Sequence, residues 1–373
     1  MATQKVLLLT SIMAPHRTAL FNALAAEPGL DLEVVFLARS DPSRSWRIRE
    51  QEMTFAHRTL REVWRTRRGQ AFVHFSTGIS RVLRELRPDV VIAGGWDQPA
   101  YLQAFGLRRW SGRAFVWWVE STLRDRRLAS APVSRAKRSL VASADAIVVP
   151  GRASAEYVHA LRADPARVFV APNAVDNTPF TERAPDRADR TGPVRFLFVG
   201  RLEPLKGILP LLDAWSAVDV PATLTIVGDG SLRERIRDRV ERAAMPPVLL
   251  VGHRDREEIA AEYARADVFV FPSVSDPWGL VINEAMAASL PVVTTSEPGA
   301  VDDLVRHGAN GLVTPPFDAG ALATAMVRLT RDAELRHAMG ARSAARIATQ
   351  TPGAWAAGMR DAALAALERA RGG

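Results

Sequence analysis

The chain has 373 residues, 47% hydrophobic and 24% charged, which implies about two domains of an ordinary folded protein. It has no cysteine, so a disulfide frame, a thiol nucleophile and a thiolate metal site are excluded, and its seven histidines show no paired ligand spacing, so no structural metal is expected. The net charge of +8 is unevenly placed: residues 1–172 hold 26 Lys and Arg against 15 Asp and Glu, and the remainder 23 against 26.

The Met-Ala-Thr-Gln-Lys start leads straight into a short apolar run without a signal-peptide core, and no run approaches the ~20 residues that span a bilayer, so a cytoplasmic protein is expected. Apolar runs at Val6–Thr10, Leu32–Leu37, Val90–Ala93, Ala114–Val119, Ala146–Val149 and Val168–Val170 alternate with helix-period segments, the βα pattern of a parallel sheet. The loop after the first run, TSIMAPHRTALFNAL, lacks the three glycines of a dinucleotide fingerprint, which argues against a Rossmann dehydrogenase. It offers instead His16 and Arg17 at a helix start, where an imidazole and a guanidinium suit a phosphate or an acceptor hydroxyl; alternatively His16 caps the helix and Arg17 is solvated.

Arg39 to Arg68 then holds nine arginines and Arg108 to Arg138 nine Lys and Arg, with Trp46, Trp64, Trp110, Trp117 and Trp118 interspersed. This mixture suits an anionic membrane surface or a phosphorylated ligand, or is only an arginine-rich composition with solvated faces; no nucleic-acid module pattern is present, so no nucleic-acid partner is expected. Asp97 in GGWDQP and Glu120 after AFVWWV follow strands at ends where ligands bind, so either suits orienting an acceptor hydroxyl or acting as a base. Glu120 alternatively caps the next turn with Ser121 and Thr122. Trp96 and Trp118 suit a platform on which a ligand ring stacks, a sugar under the resemblance given below, although strand alternation places one of Trp117 and Trp118 in the core.

The segment Ala171–Pro193, rich in Pro, Asp and Arg, reads as a linker. A second strand series follows it: Val194–Val199, Thr223–Val227, Val248–Val251, Val268–Phe271, Val292–Thr295 and Gly311–Val313. The expected organisation is a first doubly wound domain over residues 1–172, a linker over 173–193 and a second over 194–352, the two facing one cleft. In FVGRLEPLKG, Arg201 and Lys206 lie just past the strand end after Gly200, placed to clamp a diphosphate or to be solvated surface. In SVSDPWGLVINEAM, a Pro/Gly turn opens a helix after a buried strand, so the N–H groups of Gly279, Leu280 and Val281 are placed to meet an anion. Asp276 and Glu284 flank that point, one carboxylate suiting a transferred group and the other a ribose; alternatively Asp276 is a turn residue and Glu284 a first-turn acid favoured by the helix dipole. The tail, TPGAWAAGMRDAALAALERARGG, reads as an amphipathic helix opened by Thr351 and Pro352.

The run FVGRLEPLKG, IVGDGSLRERI, VGHRDREEIAAEYARADVFVFPS, DPWGLVINEAMAASLPVV and HGANGLVTPPFD, in that order, resembles glycosyltransferase family 4 across the C-terminal domain; PNAVD resembles its interdomain segment, and APHRTALFNAL, GGWDQPA and WWVEST match more loosely. The resemblance implies an α/β GT-B fold of two Rossmann-like domains and retaining transfer from a nucleotide-diphosphate sugar without an essential metal or other cofactor. It implies that Arg201 and Lys206 take the pyrophosphate, Glu284 the ribose hydroxyls and the Gly279–Val281 backbone the β-phosphate side, with base contacts in the Gly252–Asp255 loop that holds His253 and Arg254. Asp276 stands where the family normally has Glu, and Ser289 where it has Gly. The resemblance also implies that helix 353–373 packs back on the first domain, with Trp355 as a packing anchor. The acceptor, expected on the first domain, is a lipid-linked glycan at the inner membrane face, with the enzyme peripheral there, or a soluble small molecule. A sugar-nucleotide epimerase and a non-catalytic nucleotide-sugar binding protein are the rival readings.

Overall fold

The structure is a computed structural model that describes residues 3–42, 46–68, 71–108, 112–124, 130–185, 187 and 190–372. Arg44, Arg109, Trp110, Arg126 and Arg127 of the basic stretches lie outside the described residues. The chain divides into two compact units, one made of Met1–Leu123, Arg127–Val175 and Pro352–Gly373, the other of Arg124–Arg126 and Asp176–Thr351. Among the described residues no helix is long and apolar enough to cross a membrane.

In chain order the first unit runs β1 (Gln4–Ile12), α1 (Pro15–Ala25), β2 (Leu30–Ala38), β3 (Ala56–Thr59), β4 (Arg61–Arg68), β5 (Ala71–Thr77), α2 (Ile79–Leu86), β6 (Val90–Ala93), α3 (Pro99–Leu107), β7 (Ala114–Trp118), α4 (Ala131–Ala142), β8 (Ala146–Val149), α5 (Arg152–Ala160) and β9 (Val168–Val170). Seven of these strands form one sheet in the order β3-β2-β1-β6-β7-β8-β9, and each neighbouring pair is parallel. Strands β6, β7 and β8 are buried at every position, as continuous Val/Ile/Ala/Trp runs covered on both faces must be. Strands β4 and β5 pair antiparallel as a separate ribbon. The apolar-run reading did not anticipate β3, β4 or β5, because Arg and His interrupt the runs there and burial does not enforce a pattern on the exposed face.

The second unit contains α6 (Thr178–Thr181), β10 (Val194–Val199), α7 (Ile208–Trp215), β11 (Ala222–Val227), α8 (Arg233–Arg242), β12 (Val248–Gly252), α9 (Arg256–Arg265), β13 (Val268–Phe271), α10 (Leu280–Ala287), β14 (Val292–Thr295), α11 (Val301–Leu304), β15 (Gly311–Thr314), α12 (Ala319–Arg331) and α13 (Ala333–Ile347). Its sheet order is β12-β11-β10-β13-β14-β15, all parallel, so the direction of winding reverses between β10 and β13. Ligands of such sheets bind beyond the carboxyl ends of the strands at that reversal.

The Pro/Asp/Arg-rich segment is not a free tether. Arg187, only 9% exposed, donates to Ala266 O at 2.8 Å and Tyr263 O at 3.2 Å, Arg190 pairs with Asp267 at 2.8 Å, and Asn177 donates to Ile347 O and Gln350 O. Burial pushes the Arg187 guanidinium down to about 10, the cost of tying this segment to the unit.

The last helix, α14 (Pro352–Gly372), belongs to the first unit. Its Trp355, Ala356, Met359, Ala362, Ala363 and Ala366 are buried in the core with Phe21 of α1 and Trp118 of β7. Small residues let the helix sit close to the sheet: a Cβ on Gly358 would lie 2.3 Å from Val170 O.

Candidate active site

In the second unit the site is built at the winding reversal, from the loops that leave β10 and β13. Gly200 N continues the ladder to Val227 O at 3.0 Å, and Leu202 N donates to Asp229 O at 2.9 Å. Such close approach requires glycine opposite: at Gly228, where φ is +143°, an added Cβ would meet Gly200 O at 1.8 Å. Gly228→Ala is therefore expected to destabilise the unit by several kcal/mol, of order 3 or more from overpacking plus an unfavourable φ, and to displace the Arg201 loop. A urea midpoint within error of wild type would contradict this.

After a short turn at Pro204–Lys206, Gly207 adopts φ +71°, and a Cβ there would sit 1.9 Å from Pro272 O. This contact brings the first loop onto the second, where Ser273 Oγ and Val274 N both donate to Leu205 O at 2.9 Å. The result is an ion pair between Lys206 Nζ and Asp276 Oδ2, with side chains only 13% and 16% exposed. Asp276 Oδ1 also accepts from Trp278 N at 3.2 Å, and Trp278 Nε1 donates to the buried Asn283 Oδ1 at 2.9 Å. Asp276 is thus a turn residue, as one of its two readings had it, and it also pairs with Lys206, a contact the sequence did not suggest. Arg201 lies half-buried at the carboxyl end of β10.

Gly279, at φ +94°, begins α10, and no side chain caps that helix, so the first turn of N–H groups from Leu280 and Val281 faces outward from a positive helix end. Glu284 lies about 6 Å further along the helix axis. It is half-buried, and Tyr263 Oη donates to its Oε2 at 2.8 Å. Burial pushes the Glu284 carboxyl up to about 7, against the Tyr263 hydrogen bond and the charge of Arg256, which pull it down. Tyr263 escaped the sequence reading because it lies 21 residues upstream on α9, buried, with nothing local to mark it. His253 is exposed and Arg254 half-buried just past β12. That is the edge strand, two positions and about 10 Å from β10. Ser289 has φ +58°, the left-handed conformation in which glycine is the unstrained residue, so serine in the family's glycine position carries backbone strain.

In the first unit, Arg17 donates to Glu120 Oε2 at 2.7 Å and to Thr10 Oγ1 at 3.3 Å, with its guanidinium 4.5 Å from the Trp118 ring centroid. The other Glu120 oxygen accepts from Asn173 Nδ2 at 3.1 Å. Glu120 and Arg17 therefore form one oriented cluster with their side chains 32% and 20% exposed. Asn173, in the PNAVD segment, was not singled out as a site residue. The cap of α1 is Ala14 with no side-chain hydrogen bond, so His16 does not cap it; His16 lies edge-on to Trp46 at 5.5 Å. Asp97 is exposed at the loop after β6.

The Trp96–Trp118 platform is corrected. Trp118 is 1% exposed and packs against Trp355 at 5.4 Å, because α14 covers that face of the sheet. Trp117 is buried too, on the other face, where half-buried Trp96 packs on it at 6.1 Å and on Tyr157 at 6.2 Å. The two indoles of the expected platform thus belong to opposite faces.

The family of glycosyl transferases group 1 matches residues 193–332, and Glycosyltransferase Family 4 matches residues 16–178. The chain is 30% identical to glycogen synthase of Mycobacterium tuberculosis over 74% of its own length and 68% of that protein. It is 34% identical to D-inositol 3-phosphate glycosyltransferase of Pseudarthrobacter chlorophenolicus over 52% of this chain and 49% of that one. Among solved structures it shares its fold with Anabaena HepE in complex with UDP-glucose (TM-score 0.75, 20% identity, 96% of this chain and 99% of that one). It also shares it with the lipopolysaccharide outer core galactosyltransferase WaaB in apo form (TM-score 0.74, 17% identity, 96% and 98%). Two doubly wound parallel-sheet domains of this kind define a GT-B glycosyltransferase. The chain belongs to the group 1, family 4 glycosyltransferases.

Proposed function

We propose that the enzyme transfers a sugar from a nucleotide-diphosphate sugar to an acceptor hydroxyl with retention of anomeric configuration. The observation that carries this reading is the Lys206–Asp276 pair beside the uncapped start of α10, on loops from the adjacent strands β10 and β13. The diphosphate lies on the N–H groups of Gly279, Leu280 and Val281 and against Arg201 and Lys206; the ribose hydroxyls meet Glu284 and the base approaches His253 and Arg254. Asp276 faces the donor sugar. The bond from the anomeric carbon to the leaving phosphate breaks while the acceptor oxygen bonds on the same face, and the acceptor proton passes to a phosphate oxygen. Arg201 and Lys206 stabilise the charge that develops on the diphosphate. The reading uses no metal ion. On the first unit, Glu120, held by Arg17 and Asn173, orients the acceptor, with His16 and Asp97 at the same strand ends.

The acceptor in this reading is a lipid-linked glycan in polysaccharide or cell-envelope synthesis, reached from the inner membrane face. The basic first half of the chain supports it, as do Val63 and Trp64, each 58% exposed on the arginine-bearing strand β4. A soluble acceptor in secondary metabolism is the alternative, favoured if the protein fails to partition onto anionic vesicles at low salt.

A thermal-shift panel of UDP-, GDP-, ADP- and dTDP-sugars tests the donor site, with UDP-glucose first because the HepE structure holds it. A ligand at 100 times its dissociation constant stabilises by roughly 2.7 kcal/mol. A shift from one nucleotide class, lost in Glu284→Ala, is expected; no shift from any class would favour a non-catalytic protein, and an epimer formed from donor alone would favour an epimerase.

A further inference from the structure

The first unit has a hollow of about 550 Å³ at the amino ends of β6 and β7, walled by the end of α2, the residues leading into both strands and the last turns of α14. Arg84, Arg87, Arg113 and Arg371 line it, with one carboxylate, Asp89. Asp97 and Glu120 follow the opposite ends of those strands. Four or five strand residues at about 3.3 Å each separate the two ends by roughly 13–17 Å, so the hollow is not part of the acceptor site.

Four guanidinium groups around one hollow repel each other, a cost that a shared carboxylate meets where Arg190 and Arg195 cluster on Asp267. These four differ. Among the described residues none of them lies within ion-pair distance of a carboxylate, and Asp89 is engaged by Lys5 N at 2.7 Å. Their hydrogen bonds run to neutral oxygens: Arg84 Nε to Ser80 O at 3.3 Å, an Arg113 nitrogen to Leu83 O at 3.0 Å and an Arg371 nitrogen to Gln4 Oε1 at 2.9 Å. Burial lowers the pKa of Arg113, the sign of a charge not compensated by the protein. Arg87 ends α2 in the left-handed region at φ +46°, a strained conformation for a long side chain.

We infer that this hollow is a second ligand site, one that binds a phosphoryl anion between the guanidinium forks of Arg84, Arg87, Arg113 and Arg371. Planar guanidinium groups bind phosphate oxygens in bidentate pairs, and the volume falls in the range of small-molecule sites. The anion is either a soluble phosphate ester or diphosphate, or the headgroup of an anionic lipid. Nothing in this inference depends on the transferred sugar or its acceptor.

Calorimetric titration with inorganic pyrophosphate tests it, in a Lys206→Ala background that weakens the donor site. One binding event per chain is expected, weakened tenfold or more when Arg84→Gln and Arg87→Gln are added; both side chains are exposed, so the fold tolerates the change. Loss of all binding in Lys206→Ala alone, or unchanged binding in the arginine variant, overturns the site. Vesicles of phosphatidylglycerol in phosphatidylcholine distinguish the sources. Vesicle binding that pyrophosphate competes away, and that the arginine variant lacks, assigns a lipid headgroup; pyrophosphate binding without vesicle binding assigns a soluble phosphate, and either result upholds the site.

Discussion

Lys206→Met is expected to lower turnover by about 10²–10³-fold, the loss typical of one preorganised donor aimed at developing charge. The expectation rests on the position of the ammonium group, against Asp276 and 5.7 Å from the Phe271 ring centroid on a loop fixed by the Gly207–Pro272 contact. The substitution also leaves the Asp276 carboxylate, with its side chain 16% exposed, facing no cation, which costs on the order of 3 kcal/mol. The two effects separate in the double variant Lys206→Met/Asp276→Asn. Removing the second charge relieves the unpaired burial, so the unfolding midpoint recovers while the rate does not. A single variant that turns over within threefold of wild type removes Lys206 from the chemistry, and a double variant that recovers the rate makes its role structural.

Donor affinity is expected to fall by about tenfold in all as pH drops through 7 and to level off on either side, the difference between a charge-assisted and a neutral hydrogen bond. Glu284 titrates near 7 because burial disfavours its charged form, and a ribose hydroxyl donates more strongly to the carboxylate than to the carbonyl oxygen of the protonated acid. The stability of the free enzyme runs the other way. A carboxyl raised above its unfolded value contributes stability that is full below the unfolded pKa near 4.5 and lost as pH rises through 7, an effect on the order of 3 kcal/mol. Glu284→Gln keeps the shape and abolishes the titration, so it flattens both profiles and weakens donor binding at high pH. Tyr263→Phe removes the hydrogen bond that holds Glu284 down and moves the affinity midpoint above 7. Parallel profiles for wild type and Glu284→Gln would assign the titration to another group.

Much of the architecture is legible locally. Val90–Ala93, Ala146–Val149, Val194–Val199, Val268–Phe271 and Val292–Thr295 are observed strands with those bounds, because strands buried on both faces are mostly apolar. The segments that carry Lys206, Asp276 and Glu284 were legible for the same reason, since in a parallel sheet the residues after each strand lie at one end. Order along the chain therefore determined the fold class and the segments that carry chemistry.

What the tertiary structure decided is which side chains meet and which are covered. Arg17 and Glu120 are 103 residues apart and Glu120 and Asn173 are 53, so their cluster depends on strand order, which no local period encodes. Trp118 alternates like any strand residue, and only α14, arriving from the end of the chain, makes it core. Asp276 and Lys206 are 70 residues apart and pair because Gly207 lets their loops touch at Pro272. The arginines of the second hollow come from α2, from the residue before β7 and from α14, each unremarkable in an arginine-rich sequence. Periodicity records whether a segment is buried; the energies of pairing and desolvation depend on neighbours that only the folded chain supplies.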